Sequence, residues 1–335
     1  MTPVFMIGTQ RSGSNLLRLM INQLDHIASP HPPHIMERMH PLLHCYGDLN
    51  EDKNFEQLVD DVCKLVELNP VVWEMLELDR KNVAKKCKQR SLIAVHAAIY
   101  DAYAEAQNAQ TWCCKSLANI QYVDEIEDYL KNPKYIYLYR DGRDVALSFQ
   151  KAVVGEKHIY NIAQEWRQTQ ELALELKRCI DTSRFFSISY EQLTMQPVVS
   201  AKALCKFLDV EYTENMLSFH NTSEAKNAAK SSKLWGNVTN PVMKNNTKKY
   251  QKEMSMQDIK IFESVAGHVL DELGYERDYI QRGNEYKYSN SEIARFEEEN
   301  KRLKMASLLN VDQEDMERRK RQTSLLDKIR SRNAA

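Results

Sequence analysis

Short apolar runs alternate with amphipathic stretches along most of this chain. The runs at 3–7, 111–114, 134–139 and 185–189 are rich in aliphatic and aromatic residues and read as buried strands. Apolar positions at three-four spacing predict helices over 14–24, 51–68, 81–107, 119–130, 143–153, 158–178, 198–208 and 255–273. Strands and helices in this order predict an α/β fold, a P-loop-like three-layer domain with a central parallel sheet flanked by helices. Ligands of such sheets gather at the carboxyl ends of the strands. Arg11, Lys115 and Arg140 all stand just beyond such ends.

Two stretches break the alternation. Residues 219–252 are polar, carry Gly236 and Pro241, and show little periodicity. A segment of about 30 residues without clear elements inside a domain predicts a functional lid or a mobile loop. From residue 289 onward the composition turns highly charged and helical, so the expected organisation is a domain at 1–280 and a charged helical extension at 285–335. Ile293, Phe296, Asn300 and Leu303 make one narrow apolar stripe there, which leaves a homodimer or partner contact through this helix open. The cluster Arg318-Arg319-Lys320-Arg321 reads as a solvated face.

Composition narrows the class. With 335 residues and 43% hydrophobic content the chain can bury a sizeable core. A net charge of −1 argues against a nucleic-acid binder, so any anion site must come from local placement of Arg and Lys. No run of about 20 apolar residues predicts a membrane span. The first strand begins at residue 3 with no secretory signal before it, and the expected location is cytoplasmic. Seven irregularly spaced cysteines read as reduced thiols, and Cys113 and Cys114, adjacent in a strand, should face opposite sides. No cluster with metal-ligand spacing is visible, so no metal is expected.

The candidate chemistry begins where Val4-Phe5-Met6-Ile7 runs into Gly8-Thr9-Gln10-Arg11-Ser12-Gly13 and a helix opens at Ser14-Asn15-Leu16-Leu17. A strand, a small-residue turn and a helix N-terminus form an anion cradle. The spacing Gly8 to Gly13 matches a nucleoside-triphosphatase P-loop, but Ser14 stands where that loop has lysine and Asn15 where it has the Mg²⁺-binding hydroxyl. The cation sits inside the loop, at Arg11. A second strand, Tyr135-Ile136-Tyr137-Leu138-Tyr139, ends in Arg140-Asp141-Gly142-Arg143-Asp144, with Ser148 two helical turns on.

Both motifs, in this order and each at a strand-to-helix junction, resemble the sulfotransferases that use 3′-phosphoadenosine 5′-phosphosulfate (PAPS). The resemblance is to the branch with Arg in the loop, which includes tyrosylprotein sulfotransferases and many bacterial enzymes, and covers roughly residues 2–275. It implies that Arg11, Ser12, Gly13, Ser14, Asn15 and Leu16 hold the 5′-phosphosulfate, and that Arg140 and Ser148 hold the 3′-phosphate. Lys115, in Cys114-Lys115-Ser116, matches the lysine that contacts the transferring sulfuryl group. Tyr190 matches the tyrosine near the nucleotide, and Lys249, after Pro241, a lysine in a loop closing over it. PAPS is then the co-substrate.

The chain departs from this pattern at the general base. The Arg branch often has a Glu after the first helix, and here Pro32 stands there, flanked by His31 and His34. Histidine, with an unperturbed pKa of about 6.5, suits removal of a hydroxyl proton at neutral pH, and the prolines restrict the loop. His34 is the favoured base, His31 the second candidate and Glu37 the fallback. Trp235 is a candidate for acceptor or adenine contact, whereas Trp166, in a long amphipathic helix, reads as core. The expected acceptor is a small metabolite or lipid-like alcohol. A degenerate P-loop nucleotide or metabolite kinase, or a non-catalytic nucleotide-binding scaffold, are the competing readings.

Overall fold

A computed structural model describes residues 2–74, 76–231, 233–244, 246–309 and 313–332, with the backbone alone for 231 and 233–235. Five strands, β1 (Val4–Gly8), β2 (Ile27–Ala28), β3 (Thr111–Cys114), β4 (Lys134–Tyr139) and β5 (Phe185–Ser189), lie in the order β2-β3-β1-β4-β5, all parallel. Central β1 aligns Val4 with Cys113 on one side and Gly8 with Leu138 on the other. All five of its residues are buried. Successive strand side chains point to opposite faces. Phe5 and Ile7 therefore join Trp112 and Tyr135 in one core, while Val4 and Met6 join Ile136 and Leu138 in a second. Cys114 falls in the first core and Cys113 in the second, and all seven cysteines are free.

Helices cover both faces. Residues of Ser14–Ile21 and Pro197–Leu208 build the second core, and those of Asp52–Glu67, Leu92–Ala106, Ile159–Cys179 and Met256–Glu272 the first. Trp166 is fully buried beside Phe262, as a core residue. No described helix is long and apolar enough to cross a membrane.

The differences from the sequence pattern have local causes. The single helix expected over 81–107 is two, Arg80–Lys86 and Leu92–Ala106, because Ser91 starts the second by accepting from the Ala94 N–H at 3.3 Å. β2 has two residues, too few for a period to register. The stretch 219–252 contains helices Ser223–Ser231 and Tyr250–Glu253. The charged extension folds back as helices Asn290–Leu308 and Gln313–Ser331, which add Phe296, Leu325 and Ile329 to the first core. Its apolar stripe meets this chain itself. Phe296 stacks on His158 at 4.6 Å, and Asn300 Oδ1 accepts from the N–H groups of Lys157 and His158 at 2.8 and 2.9 Å. Lys320 and Arg321 are exposed, but Arg318 and Arg319 are half-buried, so the basic cluster is only partly a solvated face.

Candidate active site

The turn after β1 is built as an anion cradle. Gly13 sits at φ 89°, and a Cβ there would lie 2.5 Å from the Tyr190 ring, so conformation and space both require glycine. It begins the Ser14–Ile21 helix, whose N-terminus no side chain caps. The first helical N–H groups therefore have no side-chain acceptor among the described residues, the arrangement that suits an anion. The helix Gly142–Lys151, by contrast, is capped by its own Asp141. Arg11 is held at φ 69°, left-handed backbone that a non-glycine residue adopts at a cost.

The second motif meets the first. Arg11 Nε donates to Ser148 Oγ at 3.0 Å, and Arg140 Nη1 donates to the Arg11 carbonyl at 3.2 Å. The Arg140 guanidinium lies 4.4 Å above the Tyr190 ring and donates through Nη2 to the Asn246 carbonyl at 2.6 Å. Asn246 donates in turn to the Tyr190 hydroxyl at 2.9 Å. Asp144, 3.7 Å from Arg140, accepts from the N–H groups of Lys248 and Tyr250 at 2.7 and 3.0 Å. One carboxylate thereby ties the Lys249 loop to the second motif. These groups surround a cavity of about 400 Å³ lined by Arg11, Gly13, Ser14, Asn15, Leu16, Arg140, Ser148, Tyr190 and Lys249, with Asn237, Pro241 and Asn246 from the expected lid.

Several polar groups in or next to this cavity lack partners among the described residues: buried Ser12 Oγ, Asn15 Oδ1 and Arg140 Nε have none there. Buried polar groups left unpaired are costly, and these lie where the resemblance implies the donor's phosphates. An uncapped helix end, two arginines and a lysine fit a nucleotide with two separate anionic groups. Among the described residues, no group of three or more His, Cys, Asp or Glu could hold a metal ion.

A second cluster lies at the end of β3. Lys115 is 8% exposed, and burial, then the neighbouring Arg18 charge, lowers its ammonium to about pKa 7. Arg11 adds to that lowering, which couples Lys115 to the anion loop. His34, at φ 60°, starts the short helix Ile35–Met39. Its Nδ1 lies 3.0 Å from both Glu37 Oε2 and Ser116 Oγ. Burial pushes the His34 imidazole below its ordinary value against the opposing effect of Glu37, and the Lys115 charge adds to the lowering. Burial raises Glu37, but the His34 hydrogen bond and the Arg38 and Lys115 charges outweigh it, and the carboxyl stays below its usual range. His31 is buried, and its imidazole is held well below the ordinary value by burial, then by Lys115 and Arg18. Asn69 Nδ2 and Trp73 Nε1 anchor its carbonyl at 3.0 and 2.7 Å.

The sequence-predicted residues thus form two groups. Arg11, Gly13, Ser14, Asn15, Leu16, Arg140, Ser148, Tyr190 and Lys249 share the cavity, whereas Ser12 is buried beneath it. His31, His34 and Lys115 stand apart, in the second cluster. Ser148, which the resemblance assigns to the 3′-phosphate, touches Arg11, which it assigns to the 5′ side. Glu37, the fallback base, pairs with His34. The i,i+3 spacing of His34 and Glu37 could have suggested this pair. Ser116, Asp144 and Asn246 act through contacts that no local pattern announces. The Trp235 side chain lies outside the described residues.

Comparison with known proteins bears on the family and the fold. The family model for the sulfotransferase family matches residues 3–214, well over half of the chain. The chain belongs to the sulfotransferase family. It is similar to a protein-tyrosine sulfotransferase of Drosophila melanogaster, 22% identical over 236 residues, covering 69% of this chain and 42% of that protein. The chain therefore spans less than half the length of that curated relative. Among solved structures, the sulfotransferase domain of the curacin biosynthetic pathway aligns with a TM-score of 0.58 at 20% identity, covering 83% of this chain and 99% of that one. The sulfotransferase domain of the Synechococcus PCC 7002 olefin synthase aligns with a TM-score of 0.51 at 20% identity, covering 78% and 94%. At these identities the likeness is one of fold.

Proposed function

We propose that this protein transfers a sulfuryl group from PAPS to a hydroxyl acceptor, with a small metabolite or lipid-like alcohol as the acceptor class. The observation that carries the reading is the junction of the two anion motifs on one cavity, through the Arg11 bond to Ser148 and the Arg140 bond to the Arg11 carbonyl. The donor supplies a sulfuryl group on a phosphate leaving group. Arg11 and the uncapped N-terminus of Ser14–Ile21 present fixed positive charge to the 5′ side, where negative charge grows during transfer. Arg140, Ser148 and Lys249 hold the other end of the nucleotide. Glu37 keeps the His34 proton on Nδ1, so Nε2 retains the lone pair that takes the acceptor proton.

Thermal-shift titration tests the donor. Adenosine 3′,5′-bisphosphate is expected to raise Tm well above the shift given by adenosine 5′-monophosphate or ATP·Mg²⁺ at equal concentration. Arg140→Ala and Ser148→Ala should each remove much of the preference over the monophosphate, with donor KM rising more than kcat falls. A wild type that binds all three ligands equally would move the reading to the kinase or scaffold alternatives.

Lys115 supplies a second test. Near pKa 7 it is about half neutral at neutral pH in the free protein. A bound anion favours the ammonium form and raises that pKa. Donor binding at pH 7.5 should therefore take up a fraction of a proton, and affinity should weaken as pH rises above about 7. Calorimetry in buffers of different ionisation enthalpy measures the uptake, and Lys115→Met should abolish it.

A further inference from the structure

Of the residues assigned to the acceptor side, His31 and Lys115 are 5% and 8% exposed, while the His34 and Glu37 side chains are 20% and 40% exposed, and the large open cavity lies on the donor side. Two segments near this cluster come from beyond residue 214, where the family match ends. One is the helix Ser223–Ser231. Its Glu224 pairs with Arg18, which is fully buried, and accepts from Asn22 Nδ2 at 2.7 Å.

The other is the C-terminal helix Gln313–Ser331, whose two halves are bound differently. The second half is anchored: Leu325 and Ile329 are buried in the core, and Arg332, just past the helix end, pairs with Asp61, which also accepts from the Tyr46 hydroxyl at 2.9 Å. The first half is held by polar contacts. Arg318 donates to the Lys230 carbonyl of the Ser223–Ser231 helix. Arg319 pairs with Asp315 at 3.0 Å, and its charge reaches both the His31 imidazole and Arg38. Between the halves sits Gln322, 2% exposed. It accepts from Arg38 Nη1 at 2.5 Å and donates through Nε2 to the Leu65 carbonyl at 2.7 Å. Arg38 follows Glu37 in the helix that His34 begins. A buried amide with both ends satisfied fixes one geometry, and here it joins the extension to the base-bearing turn.

We propose that the first half of the Gln313–Ser331 helix, docked on Ser223–Ser231, is the acceptor-side cover of the site, and that Gln322 acts through Arg38 as the positioning residue of the His34–Glu37 turn. The anchored half stays in place while the polar-bound half yields to admit an acceptor. Closed, it limits water at His31 and Lys115 and so protects a bound donor from hydrolysis. This inference rests on the reading of that cluster as the acceptor side.

The test uses the full chain and the variants Gln322→Ala and Arg318→Ala, the second of which removes only a partly exposed side chain. Histidine carbethoxylation with diethyl pyrocarbonate, resolved by mass spectrometry, compares His31 and His34 with exposed His268 and with buried His96. In wild type His31 should react slowly and His34, whose side chain is one-fifth exposed, at an intermediate rate. In the variants their rates relative to His96 should rise about fivefold, as expected for a local opening. Acceptor-free hydrolysis of PAPS should rise about threefold as water enters, with adenosine 3′,5′-bisphosphate affinity unchanged. Unchanged ratios of His31 and His34 to His96 in both variants would overturn the cover. Faster labelling in a protein that never turns over PAPS would uphold the cover and overturn the sulfotransfer reading instead.

Discussion

Arg11→Ala is expected to lower kcat/KM by about 10²–10³-fold while the protein stays folded, because it removes a charge-assisted contact aimed at the transferring group in a partly dry site. Arg11 links both halves of the donor site, since its Nε bonds Ser148 and its carbonyl receives Arg140. Removing the guanidinium leaves the carbonyl contact in place, so the cavity should keep its shape and lose its charge. Alanine also retains a Cβ, so the backbone cost at φ 69° is unchanged and Tm should move little. Steady-state kinetics with saturating PAPS separates the effects: loss in kcat marks an interaction made in the transition state, and loss confined to donor KM marks binding alone. Near-normal turnover would remove Arg11 from the chemistry and with it the assignment of the loop.

His34→Asn should reduce kcat about 10²-fold or more through loss of the general base, whereas replacement of His31 should cost far less. The structural difference is partnership with a carboxylate: Glu37 Oε2 lies 3.0 Å from His34 Nδ1, an arrangement that orients an imidazole for proton transfer. The pH profile carries a sign. His34 is held below its ordinary value, so the acid limb of kcat should fall below the usual histidine range. Glu37 favours the charged imidazole, and Glu37→Gln should therefore move that limb to lower pH still while lowering the plateau rate. Lys115 acts in the opposite sense, so Lys115→Met should move it upward. An acid limb unaltered in both His34→Asn and Glu37→Gln would place the base elsewhere.

Much of the donor site was legible because it is local. The N–H groups of a strand-turn-helix segment belong to adjacent residues, so Gly8 through Leu16 carry their own geometry. Arg140 and Ser148 likewise sit a fixed distance apart on one strand end and one helix. Even the opposite facing of Cys113 and Cys114 follows from strand alternation. The acceptor side was legible only as a pair of candidate histidines with His34 favoured. The His34 contact with Ser116, 82 positions away in the chain, was not legible, because it is made only in the folded chain.

By itself, then, the sequence determined the parallel α/β sheet, the anion loop and the second cationic strand end, because these depend on side-chain period and on turns of a few residues. Tertiary structure alone decided the rest. It joined Arg11 to Ser148, tied Asp144 to the Lys249 loop, and lowered the Lys115 ammonium by burial beside Arg18. It also folded a charged extension back until Gln322 met Arg38. The physical reason is range. Backbone conformation is set by neighbours in sequence, whereas desolvation, charge pairing and the satisfaction of buried amides depend on whatever the folded chain brings within a few ångströms.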